Sequence, residues 1–151
     1  KTAAQGTFVP AFIPDKQLTW LEQDLAQTHL PTIVMTHYSI APQNLRGNVW
    51  FEDRPECAIL QNHKAVTSIL KRSGKIRAIL NGHLHWNHFV VEQEMPAFTL
   101  QGVVEYRNLV VPAEAAYAWG IFDINATESC LEVQGNDRAL FRHRYREHRN
   151  Y

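Results

Sequence analysis

Two short runs, TIVMT (32–36) and IRAIL (76–80), constrain this chain more than any other feature. Each is a nearly continuous stretch of aliphatic and β-branched residues, without the polar–apolar alternation of a half-solvated strand. Such runs are predicted to be strands buried on both faces. A helical pattern lies on either side of the first run. "IPDKQLTWLEQDLAQTHLP" has Asp15 as N-cap or first-turn acid and an apolar face of Leu18, Leu21, Leu25 and Trp20, and Pro31 bars continuation. "CAILQNHKAVTSILKRSGK" places Ile59, Val66, Ile69 and Leu70 on one side, Lys71 and Arg72 at the dipole's negative end, and Gly74 at the C-cap. A strand, a crossover helix and a second strand of the same kind favour parallel pairing. Between the first strand and the second helix, "YSIAPQNLRGNVWFEDRPE" reads as a long loop of the sort that carries function.

After residue 88 the pattern changes. "HFVVEQ", "MPAFTLQG", "VVEYRNLVV", "AYAWGIFDIN", "SCLEVQG" and "ALFRHRYR" are short β-rich pieces punctuated by Gly, Pro and Asn. They predict antiparallel strands and hairpins. In the last piece Phe141, His143 and Tyr145 alternate with Arg142, Arg144 and Arg146, as on a strand with one solvated face. The overall class is α/β.

Both buried runs end in histidine. His37 follows the first, and His83 and His85 follow the second after Gly82. In open α/β sheets, ligands bind outside the carboxyl ends of the strands. Neighbouring strands lie about 4.8 Å apart, so these histidines are predicted to converge. Gly82 permits close backbone packing or an unusual φ beside them. Neutral imidazole is a good ligand for Zn, Fe, Mn or Ni. His88, three residues beyond His85, is read as a half-exposed strand residue.

"VMTHYS" followed by "NGHLH", with the helix "PDKQLTWLEQDLA" ahead of both, resembles the C-terminal half of the calcineurin-like metallophosphoesterases. The resemblance covers roughly residues 10 to 125. It implies a β-sandwich with flanking helices, here only its C-terminal part, and residues 1–151 as the C-terminal portion of one such domain. It also implies two divalent metal ions (Mn, Fe or Zn) and hydrolysis of a phosphomonoester or phosphodiester. His37 and His83 match ligands of the second metal, and His85 matches a ligand of the first. Two such ions polarise phosphoryl oxygens and generate hydroxide for in-line attack.

The family's Asp-x-His, Gly-Asp and Gly-Asn-His-Asp/Glu motifs do not occur in the sequence. They supply the bridging carboxylate, the asparagine ligand and the general acid, so the catalytic residues are not identified. The chain is therefore expected to carry an incomplete site. A missing N-terminal segment or a second chain is expected to cover the sheet. Two alternatives stand: a degenerate, non-catalytic binding module, and a mononuclear site of His37, His83 and His85 with an open fourth position.

Within the long loop, Arg46, Asn48 and Trp50 are candidates to contact a phosphate ester, or else pack the loop's own aromatics. Trp86 lines the mouth of the site or belongs to the core. Glu52, Asp53 and His63 have no motif partner. Formal net charge is zero, which gives no bulk attraction for nucleic acid or anionic membrane, and the Arg-rich tail reads as a solvated strand face. No run of about 18 apolar residues predicts a membrane span. The Asn125–Thr127 sequon matters only in a secretory context. Two cysteines are too few for a disulfide scaffold. Localisation leans to the cytoplasm, with export left open.

Overall fold

The computed structural model describes residues 10–103 and 115–146. Helix α1 (Asp15–Gln27) leads into β1 (Thr32–Thr36), and helix α2 (His63–Ser73) leads into β2 (Ile76–Asn81). Strands β3 (His88–Glu92), β4 (Met95–Thr99), β5 (Trp119–Ile124), β6 (Glu128–Gln134) and β7 (Ala139–Arg144) follow. They form two sheets, ordered β1-β2-β4-β3 and β5-β6-β7. The stretch VVEYRNLVV lies almost wholly outside the described residues.

β1 and β2 pair in parallel, as the strand–helix–strand order requires. β4 also runs parallel to β2, while β3 and the whole second sheet pair antiparallel. The β3–β4 hairpin turns at Gln93 and Glu94, both at positive φ (49° and 70°). That hairpin reverses β3 and returns β4 beside β2, which the local β pattern did not indicate.

The first sheet is covered differently on its two faces. Toward the helices lie Leu25, Val66, Ile69, Leu70, Ile79 and Ala97. Toward the second sheet, Ala78 and Phe98 pack on Leu131 and Val133, with Phe89, Phe122 and Phe141 closing the cluster. β4 is buried at every position.

β1 departs from the expectation of burial on both faces. It is the edge strand, its second flank carries no partner among the described residues, and Ile33 and Met35 are 40% and 78% exposed. Among the described residues, the cluster that joins the two sheets draws on β2, β3 and β4 and includes no residue of β1.

Three local readings are refined. Pro14 rather than Asp15 occupies the N-cap of α1, and Asp15 sits in the first turn. Trp20 is 61% exposed, because it lies about 200° around the helix from Leu18. α2 starts at His63, since the preceding residues are tied elsewhere: Leu60 N donates to Ser39 O (3.1 Å), and the Asn62 amide clamps both backbone groups of Ile13 (3.0 and 2.7 Å). Gly74 does cap α2 in the left-handed region, with φ 65°.

His88 and His143 sit at sheet positions where burial holds both imidazoles below the usual histidine range. His88 stacks on Trp86 and pairs with Thr99; His143 faces Phe89 and Tyr145 and pairs with Ser129. Both rings are therefore neutral in the fold when the unfolded chain begins to protonate. Stability is expected to fall as pH drops through about 6.5 and to stop falling below the depressed folded values. Each ring adds a slope of at most about 1.4 kcal/mol per pH unit. Denaturant midpoints between pH 8 and pH 5 check this, and a flat profile would mean that both rings titrate as if solvated.

Candidate metal centre

The site forms where β1 and β2 end. Their register places Thr36 beside Asn81, so the next residues of each strand leave the sheet together. Gly82 N donates to His37 O at 3.2 Å, which fixes the two exits side by side. His37 Nε2 then stands 3.3 Å from His83 Nδ1.

Gly82 is not the residue with unusual φ. The left-handed conformations belong to His83 (φ 56°) and His85 (φ 52°). Non-glycine residues there cost about 1–3 kcal/mol each and persist only where the surroundings enforce them, often at functional sites. A Cβ at Gly82 would meet His37 Nδ1 at 3.9 Å, an ordinary contact.

His83 is 8% exposed and held on all sides. Tyr38 lies on one part of the ring (centroids 3.9 Å apart) and Phe51 on another (4.8 Å). Nε2 lies 2.9 Å from the carbonyl oxygen of Cys57. A carbonyl only accepts, so Nε2 carries the proton and Nδ1 is left with its lone pair. Burial then holds His83 below the usual histidine range against the opposing pull of the Cys57 carbonyl bond, and the nearby His37 and His85 act with the burial. The result is a neutral imidazole of fixed tautomer with its lone pair aimed at His37. A backbone carbonyl that fixes the tautomer is a common companion of a metal-ligating histidine.

Without an ion the contact is a hydrogen bond, His37 Nε2–H donating to His83 Nδ1, and the same spacing also fits a shared ion. Two nitrogens each about 2.1 Å from one cation, at angles of about 90–110°, lie roughly 3.0–3.4 Å apart. His85 is half-buried, edge-on to Trp50 with ring centroids 6.0 Å apart. Among the described residues, however, no three His, Cys, Asp or Glu side chains stand close enough to hold one ion. The fit is that of a ligand pair, and the mononuclear three-histidine alternative finds no geometry here.

The loop after His37 is folded rather than open. Asn48 is 3% exposed; its amide donates to Leu84 O (2.9 Å) and its oxygen accepts from the Trp50 and Phe51 backbone N–H groups (3.0 and 3.1 Å). Those bonds occupy the side chain that was a candidate for substrate. Trp86 is 6% exposed and donates its indole N–H to Gln43 (3.0 Å), so it belongs to the core beneath the site. Gln43 in turn donates to Thr99, which bonds Asn81. Arg46 is exposed on the turn that follows Asn44. Glu52 accepts from Gly47 N, and His63 Nδ1 lies 3.0 Å from Leu60 O at the start of α2, so neither joins the histidines. Tyr38 and the Cys57 carbonyl were missed in the sequence. Tyr38 adjoins His37 and could have been flagged; a backbone carbonyl has no sequence signature.

No known family and no curated protein matches the chain in sequence comparison. Among solved structures, it superposes on a dimetal phosphatase from Danio rerio with a TM-score of 0.61 at 16% identity, covering 85% of this chain. The fold is metallophosphoesterase-like. The chain spans only 38% of the length of that phosphatase. A Vps29 mutant from Entamoeba histolytica aligns over 96% of this chain and 95% of its own, at 10% identity and a TM-score of 0.37. In the metallophosphoesterase-like frame, the paired histidines sit at the carboxyl ends of parallel strands. No helix among the described residues is long and apolar enough to cross a membrane.

Proposed function

We propose that this chain carries the histidine half of the active site of a metal-dependent phosphoric ester hydrolase. The observation that carries this reading is the 3.3 Å approach of His37 Nε2 and the lone pair of His83 Nδ1, with the His83 tautomer set by Cys57 O. In this reading His37 and His83 hold one divalent ion of the Mn, Fe or Zn type, and His85 serves a second. The ions, once bound, supply charge stabilisation for a phosphoryl group and an activated water. The chain's own residues orient the ligands: Tyr38 and Phe51 hold the His83 ring and Asn48 holds the loop. Exposed Arg46 is the candidate for the substrate's phosphate oxygens.

Two imidazoles make a weak site. The remaining ligands are proposed to come from polypeptide beyond the open edge of β1, either a further segment of the same protein or a second chain. An edge of aliphatic residues without charge or proline suits such an addition.

The test is a titration of the 151-residue chain with Co(II) or Zn(II), followed by histidine ring resonances. The His37 and His83 signals are expected to shift together, at weak affinity, while hydrolysis of p-nitrophenyl phosphate by this chain alone stays slight or absent. Ring signals of His37 and His83 that ignore both metals would sink the proposal.

A further inference from the structure

The buried side chain of Asn48 links the three features that make the histidine pair possible. Its Nδ2 donates to Leu84 O, the carbonyl of the residue between His83 and His85. Its Oδ1 accepts from Trp50 N and Phe51 N. Phe51 lies against the His83 ring and Trp50 against the His85 ring. One amide therefore joins the peptide between two left-handed residues to the two aromatic residues that flank their imidazoles. The positive φ of His83 is held locally by the Leu84 N–H bond to Gly82 O (2.6 Å), but this bond does not span His85, and a tertiary contact is needed to hold the pair of residues together. The Asn48–Leu84 bond, with the donor 97% buried, is one placed where it can act on both.

We infer that Asn48 is the positioning residue of this site: it fixes the His83-Leu84-His85 backbone so that His83 Nδ1 faces His37 Nε2. Asn suits the task because one side chain must both donate to a carbonyl and accept from two amides. Asp accepts but does not donate. Ser can imitate the accepting turn but is too short to reach Leu84. The inference concerns backbone and ring placement, and it rests on the metal reading only in its second measurement.

The experiment compares wild type with Asn48→Asp and Asn48→Ser, taking the exposed Asn44→Asp in the same loop as control. The first measurement needs no metal. The wild type should show backbone couplings of positive φ at His83 and His85 and a ring-to-ring Overhauser contact between His37 and His83. Both variants should lose these while retaining the far-ultraviolet spectrum of the fold, and the control should keep them. The second measurement is Co(II) affinity, expected to fall about 10–100-fold in both variants, the usual effect of losing an outer-shell partner. Asn48→Ser introduces no charge, so it gives the answer should Asn48→Asp fail to fold. Variants that keep the couplings and the ring contact would overturn the inference. So would variants that are merely less stable while their folded fraction binds Co(II) as wild type does. A wild type that binds no metal but loses its ring contact on substitution would sink the metal reading and leave this inference standing.

Discussion

His83→Ala is expected to abolish measurable metal binding by the chain, a loss of more than about 100-fold, since it removes a proposed direct ligand rather than an outer-shell partner. It should also destabilise the fold by about 2–4 kcal/mol. The ring is buried between Tyr38 and Phe51, and its removal leaves a cavity and breaks the Nε2–H bond to the Cys57 carbonyl. His83→Asn separates the two effects. Asn tolerates the left-handed region and offers an amide donor toward the carbonyl, so it should recover part of the stability and none of the metal binding. Chemical denaturation and metal titration on both variants read this out. Binding that survives in His83→Ala would remove His83 from the site.

Phe98→Ala is expected to cost about 3–5 kcal/mol, against a typical domain stability of about 5–15 kcal/mol. Phe98 is 1% exposed, in a strand buried at every position and paired on both sides. It packs on Phe89 within its own sheet and on Phe122 across the interface, with centroids 4.9 and 5.4 Å apart. The second sheet touches the first through this cluster, so the truncation should loosen the sandwich rather than the helical face. A change in denaturation midpoint worth less than about 1 kcal/mol would mean that the two sheets are held together elsewhere.

The helices and the parallel β1–β2 pair were legible because each depends on local pattern: apolar spacing, Pro31, the Lys71–Arg72 end and Gly74. The meeting of His37 and His83 was legible for a topological reason, since both residues leave adjacent parallel strands at the same edge. The exposure of β1 was not. An apolar run states that a strand can be covered, while the chain that covers it has to be found elsewhere. Asn48 was a substrate candidate from its place in the long loop and Trp86 from its place after the histidine motif, each with packing as the alternative; whether such a side chain faces a ligand or the protein depends on tertiary partners as remote as Leu84 and Gln43. The anchor for the His83 tautomer was invisible because it is the backbone of Cys57, and every residue but its own side chain is alike there.

The left-handed backbone at His83 and His85 sets stability against chemistry. Glycine relaxes that conformation at no steric cost, and asparagine offsets part of the cost by local hydrogen bonding. His83 is bound by its packing, so a library of this chain screened only for thermal resistance would gain at half-buried His85, wherever the relief exceeds the packing lost. If the proposed metal role holds, selection for robustness and selection for metal pull His85 in opposite directions, and a lineage without that role would be free to let it drift toward glycine.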